Sequence, residues 1–290
     1  MPSVLITGTS KGIGMATALA FGRSGHQVHA TMRNPSQSTE LAQTAAREKL
    51  SILVSTMDVD SDRSVRDAIT GIHDEHGPID VLVNNAGVER AGSVEELPFE
   101  DFRAIMETNY FGALRCIQAV LPHMRKRQSG SIINVTSVAG RIANPPLAPY
   151  TASKWALEAL SEVLAVEMKP FGVRVAIVEP GIIDTAMVRR VEGSRPDESV
   201  YPHRARLAAL FRASLKSPVP PSLVGQKILE IAESGSWQLR HPVGPDAIPF
   251  LQWRNKLTDE EWVELFASDD ETWRRSILRD FGLVVDPQAA

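Results

Sequence analysis

The chain has 290 residues, 43% hydrophobic and 23% charged, with a formal net charge of −4. These proportions are those of an average soluble globular protein, which excludes a disordered or fibrous chain and allows a large core. The slightly acidic balance offers no footprint for nucleic acid, no apolar run approaches the ~18–20 residues of a membrane span, and the single cysteine, Cys116, builds neither a disulfide framework nor a cysteine metal site.

A first strand is expected at 4–6, directly after Met1-Pro2-Ser3. That leaves no room for a signal or transit peptide and points to a cytoplasmic protein. Further short, β-branched runs stand at 28–32, 52–57, 81–83, 132–135 and 173–178. They lack polar alternation, as strands buried on both faces do. The stretches 15–23, 64–76 and 102–127 are long enough for crossover helices. The succession predicts an α/β fold: a Rossmann-type, doubly wound parallel sheet with helices on both faces. Past residue 185 the character changes. Residues 186–216 carry arginines, a Gly193-Ser194-Arg195-Pro196 break and a helical pattern at 204–215, and are expected to form a lid. Ser222 is placed to cap a helix over 223–233, and 237–241 is a candidate last strand. The predicted organisation is one domain over 1–245, lid included, with a helical extension over 246–290 packed on it. Within that extension Thr258-Asp259-Glu260-Glu261 matches a capping box.

Three places carry chemistry. After the first strand, Thr7-Gly8-Thr9-Ser10-Lys11-Gly12-Ile13-Gly14 leads into a helix. Glycines let a backbone turn sharply and approach a pyrophosphate, and a helix N-terminus supplies positive potential. The spacing differs from the common dinucleotide fingerprint, so a tight strand-to-helix turn without a ligand stays open. The second strand ends Ala30-Thr31-Met32-Arg33-Asn34-Pro35, without the carboxylate that would hold an NAD ribose. Arg33 can grip a 2′-phosphate as a fork, and Lys11 can reach the same phosphate as a point charge. The alternative for Arg33 is a solvated strand end. Third, Ser137 lies just past the strand at 132–135, followed by Tyr150 and, one helical turn on, Lys154. Pro145, Pro146 and Pro149 before, and Pro170 after, bound that helix. Residues four apart share a face, and a nearby cation lowers a tyrosine from its ordinary ~10. Tyr150 is thus a candidate acid/base, although such a pair alone is usually surface decoration.

Taken together, Thr7-Gly8-x-x-x-Gly12-x-Gly14, Asp58-Val59, Asn84-Asn85-Ala86-Gly87, Asn109, Ser137, Tyr150-x-x-x-Lys154 and Pro180-Gly181-Ile182-Ile183-Asp184-Thr185 occur in that order. The set resembles the short-chain dehydrogenase/reductase family over residues 3–185 and on to about 244. The resemblance implies an oxidoreductase of the NADP-preferring type, acting on a small-molecule ketone, aldehyde or secondary alcohol, and a homodimer or homotetramer. It implies Asn109, Ser137, Tyr150 and Lys154 as catalytic residues. Tyr150 would exchange a proton with the substrate oxygen, and Lys154 would hold ribose hydroxyls and lower the Tyr150 pKa. Ser137 would hydrogen-bond the carbonyl, and Asn109 would kink its helix and seat a water. For NADP(H) it implies Gly8, Ser10, Lys11, Gly12, Ile13, Gly14, Arg33, Asp58, Val59, Asn85, Ala86, Gly87, Pro180, Gly181, Ile183 and Thr185, beside Tyr150 and Lys154. Asp58 and Val59 would meet the adenine; Ile183 and Thr185 the carboxamide. The rival readings are a non-catalytic NADP(H)-sensing regulator and, within enzymes, a hydroxysteroid- or retinol-type dehydrogenase. Met187, Val188, Val191, Leu207, Leu210 and Phe211 would suit a bulky apolar substrate, or would simply be helix core. Cys116 reads as a buried thiol, and His73 and His76 as a solvated helix end. Arg189, Arg190, Arg204 and Arg206 read as a solvated face, and Trp253, Trp262 and Trp273 as packing against the body or a partner subunit.

Overall fold

The computed structural model describes residues 2–192, the side chain of Glu192 aside, and 199–288; the expected break at Gly193-Ser194-Arg195-Pro196 lies outside them. Seven strands form one sheet: β1 (Ser3–Thr7), β2 (Gln27–Met32), β3 (Ile52–Thr56), β4 (Val81–Asn84), β5 (Gly130–Val135), β6 (Val173–Pro180) and β7 (Arg240–Val243). Their order is β3-β2-β1-β4-β5-β6-β7, all parallel. The fold is the expected single-domain Rossmann-type sheet. The order reverses between β1 and β4, where open parallel sheets hold their ligands beyond the strand carboxyl ends.

The two-residue period of a strand sends alternate side chains to opposite faces. Val4 and Ile6 of β1 join Phe21 of α1 (Gly12–Arg23) and Val224 and Ile228 of α9 (Pro221–Ser234) in one core. Leu5 joins Ile69 of α3 (Asp62–His76), Ile117 of α5 (Gly112–Arg127) and Leu164 of α6 (Ala148–Met168) in the other. Cys116 is buried there, as expected. The remaining helices are α2 (Glu40–Glu48), α4 (Phe99–Met106), the lid pair α7 (Ala186–Glu192) and α8 (His203–Ser214), and the tail α10 (Ala247–Lys256), α11 (Asp259–Ala267) and α12 (Asp270–Phe281). The capping box forms: Thr258 Oγ1 accepts from Glu261 N while Glu261 accepts from Thr258 N.

Several expectations are corrected. β3 is an edge strand with Leu53 and Ser55 exposed, because only β2 flanks it. The stretch 102–127 is two helices joined by a π-turn at Glu107–Phe111. Ser222 caps nothing, because α9 begins one residue earlier at Pro221, whose missing N–H is tolerated at a helix start. The last strand begins at Arg240, because Ser236 Oγ accepts from Gln238 N and holds 236–238 in a local turn instead. His73 is half-buried with its ring stacked on His123 at 4.1 Å, rather than solvated. Arg206 is only 4% exposed: its guanidinium donates to Asp270 Oδ1 at 2.7 Å and to the Phe266 and Ser268 carbonyls, tying α8 to the tail. Arg189 and Arg190 are exposed, but pair with Asp184 and Glu89.

Candidate active site

The turn after β1 is built so that backbone lies on backbone. Gly8 has φ +70°, and a Cβ on it would meet Ala86 Cα at 2.7 Å; one on Gly14 would lie 2.3 Å from Gly8 O. Thr7 Oγ1 accepts from the backbone N–H groups of Asn85 and Ala86, and Asn85 Nδ2 donates to the Thr7 and Gly8 carbonyls. The loops after β1 and β4 are thereby locked together under a cleft. Every residue the sequence implicates in cofactor binding lines that one cleft. Ser137 lines it too, whereas Asn109 stands behind the wall.

Asn109 lies inside the π-turn. Its Oδ1 accepts from Val88 N at 2.8 Å, and its Nδ2 donates to Val88 O and Ser153 Oγ, each at 2.9 Å. The kink is as expected, but both amide hydrogens are already used, so one lone pair of Oδ1 is what remains for a water. Ser137 caps a short 3₁₀ turn, its Oγ accepting from Ala139 N at 3.1 Å. Lys154 is 4% exposed, with Nζ donating to Val135 O at 2.8 Å and lying 5.7 Å from the Tyr150 ring centre.

Burial dominates the acidities here. It pushes the Tyr150 phenol up to about 12, opposed by hydrogen bonding with the Ser137 hydroxyl and reinforced by the charge of Glu89. It pushes the Lys154 ammonium down to about 8, with Glu158 pulling the other way. In the protein by itself Tyr150 thus stands above its ordinary value rather than below it, with desolvation the largest cause. Beneath the pair, Glu158 accepts from Thr136 Oγ1 at 2.7 Å and Arg240 Nε at 3.0 Å. Fully buried Glu179 is pushed up to about 6, first by desolvation and then by Glu158.

A second cavity opens beside the cleft, with about 1090 Å³ of empty space including its mouth. Lid residues Met187, Val191, Leu207 and Phe211 wall it, and the tail closes it with Phe250, Trp253 and Trp273. Six residues line both spaces: Glu89, Ser137, Tyr150, Gly181, Met187 and Val188. A molecule in the cleft and one in the cavity would meet there.

The cleft fits a dinucleotide. The N-terminus of α1 points into it without an acidic residue in the first turn, side chains larger than hydrogen are excluded at Gly8 and Gly14, and Lys11 and Arg33 stand exposed at the far end. The profile of the short chain dehydrogenase family matches residues 2–195. The chain belongs to that family. Its members are oxidoreductases that use a nicotinamide cofactor on small molecules. This short-chain dehydrogenase is 34% identical over 279 residues to the oxidoreductase BOA17 of Botryotinia fuckeliana, covering 94% of this chain and 97% of that one. It is 41% identical over 263 residues to retinol dehydrogenase 8 of Bos taurus, covering 86% and 83%. A gluconate 5-dehydrogenase of Burkholderia cenocepacia, solved with NADP and tartrate, superposes with a TM-score of 0.74 at 25% identity, covering 85% of this chain and 95% of that one. Among the described residues, no helix of this dehydrogenase is long and apolar enough to cross a membrane, and no group of His, Cys, Asp or Glu could hold a metal ion.

The sequence reading passed over three contributors. Thr7 stands in the glycine motif without a role, although a hydroxyl after a first strand is a legible signal. Asp246 Oδ2 accepts from Ile182 N at 2.7 Å and holds the loop after β6. Glu89 follows the Asn84–Gly87 motif by two positions, with nothing local to mark it.

Proposed function

We propose that this short-chain dehydrogenase moves a hydride between NADP(H) and a bulky, largely apolar ketone or secondary alcohol, with Tyr150 as general acid/base. The observation that carries the reading is the position of Tyr150 and Ser137 where the polar cleft opens into the apolar cavity. When bound, the nicotinamide supplies or accepts the hydride. Ser137 donates to the substrate oxygen and holds it beside the phenol. Tyr150 gives its proton to that oxygen in reduction; a phenol held near 12 keeps its proton at neutral pH, which suits that direction. Lys154 keeps two ammonium hydrogens beyond the one given to Val135, enough for two ribose hydroxyls. Arg33 and Lys11 hold the 2′-phosphate, supported by a second-strand end without a carboxylate. The apolar walls of the cavity agree with the apolar alcohol for which the Bos taurus relative is named. Assembly into a dimer or tetramer is supported by an exposed apolar face on α6 and its neighbour: Phe111, Trp155, Val163 and Val166.

The test is Tyr150→Phe. Consumption of NADPH, followed by its ultraviolet absorbance across a panel of ketones, should fall by about 10²–10⁴-fold. NADPH binding should change by no more than about threefold, since only the proton donor is removed. Turnover within about threefold of the parent would overturn the reading.

A further inference from the structure

Three of the six side chains at the junction of cleft and cavity are polar: Ser137, Tyr150 and Glu89. The first two have roles in the reaction above; Glu89 has none. It is 5% exposed. Its backbone is fixed, because both the N–H and the C=O of the preceding Val88 are held by the Asn109 amide. Among the described residues no hydrogen bond reaches its carboxyl. The nearest cation is Arg190 of α7, at 3.6 Å with a side chain 57% exposed. Its charge is felt at the Tyr150 phenol. A buried carboxyl without hydrogen bonds is costly, and folds tolerate local costs of this kind mainly at functional positions. An ion pair made only to fasten the lid would gain little from such burial, since desolvating the carboxylate costs about as much as the attraction returns.

We infer that Glu89 is a specificity-determining residue: its carboxyl accepts a hydrogen bond from a hydroxyl or ammonium group on the carbon next to the reacting carbonyl. This rests on the dehydrogenase reading above. The substrate class is then a hydroxy- or amino-ketone, or the matching diol or amino alcohol, whose remainder is apolar. The carbonyl meets Ser137 and Tyr150, the neighbouring donor meets Glu89, and the apolar remainder runs toward Leu207, Phe211 and Trp253. Burial raises the pKa of Glu89, while the charges of Arg190, Arg90 and Arg204 draw it part of the way back.

The experiment compares a long-chain methyl ketone with the same ketone bearing a hydroxyl, or an amine, on the methyl carbon. The parent, Glu89→Gln and Arg190→Met are each assayed with NADPH. The parent should prefer at least one donor-bearing ketone by on the order of tenfold in kcat/KM, the worth of a hydrogen bond to a charged acceptor. The stronger of the two donors identifies the group. Glu89→Gln should lower that ratio by about tenfold, whatever loss is common to all three ketones. Arg190→Met, which leaves the carboxyl in place, should keep it. A ratio unchanged within about twofold in Glu89→Gln, or an equal collapse in Arg190→Met, would overturn the inference. Binding of the same ketones, read from the fluorescence of Trp253 and Trp273 in the cavity wall, separates the two readings. A Glu89-dependent binding preference without turnover would sink the dehydrogenase reading and keep this one; turnover without any preference would do the reverse.

Discussion

Lys154 is buried with its ammonium on Val135 O, and burial lowers it from 10.5 to about 8. The unfolded chain keeps that proton up to its ordinary value. Below pH 8, folding must therefore bury a charge; the full penalty applies there and fades as pH rises from about 8 toward 10.5. Lys154→Met should abolish turnover yet stabilise the protein at neutral pH by about 1–3 kcal/mol, after allowance for the lost hydrogen bond. Thermal melts should show the gain shrinking as pH approaches 10; a variant less stable than the parent at pH 7 would contradict this account of Lys154. Arg33 bears on cofactor choice. It is exposed at the end of β2, where its charge also reaches the half-buried carboxyl of Asp60, a group that burial raises. Arg33→Ala should cut the preference for NADPH over NADH by about tenfold in kcat/KM, through NADPH alone. Kinetics with both cofactors at fixed ionic strength checks it, and equal use of the two by the parent would show that Arg33 serves only Asp60 and solvent.

At the scale of elements, the π-turn between α4 and α5 turns the Asn109 amide onto the loop after β4. A regular helix would leave the Val88 N–H and C=O without these partners. Asn109→Ala removes three hydrogen bonds, two of them to the Val88 backbone. It should cost about 2–4 kcal/mol in urea unfolding and disturb Glu89 together with Tyr150 and Lys154. A cost below about 1 kcal/mol would mean that the backbone finds other partners. Lid and tail are likewise one unit, because Arg206 of α8 holds two carbonyls at the end of α11 and Asp270 at the start of α12.

For the whole molecule, His29 sets an acid limit. It is buried in β2, its Nε2 has no hydrogen-bond partner among the described residues, and the His76 ring lies 5.0 Å away. Desolvation first, and then His76, lowers it from 6.5 to about 4. The unfolded chain takes up a proton as pH falls below 6.5 and the folded chain does not, so stability is lost between pH 6.5 and 4. The loss is about 3 kcal/mol, and His29→Leu should flatten it in melts across that range. A slope unchanged in the variant would place the acid sensitivity elsewhere. The exposed face of α6 makes its own prediction. Val166, 76% exposed, stands with Trp155 and Val163 on it. Light scattering should find a dimer or tetramer for the parent and a smaller species for Val166→Glu; a parent that stays monomeric at micromolar concentration would refute assembly through this face.

What the sequence determined by itself is local or periodic. Short β-branched runs between helical stretches required parallel crossovers. The glycine turn, the four-residue step from Tyr150 to Lys154 and the Thr258 box each depend on a few neighbouring residues. Only the tertiary structure decided the rest, because distant segments or solvent exclusion set it. β3 is exposed because of its place in the sheet order. Arg206, charged within a helical pattern, is buried because a partner 64 residues away folds back over it. The four-residue step predicts a lowered Tyr150, but the depth of the site raises it, since burial takes the phenolate out of water. Glu89 gains a position beside Ser137 and Tyr150 only when the loop after β4, the lid and the tail enclose one space.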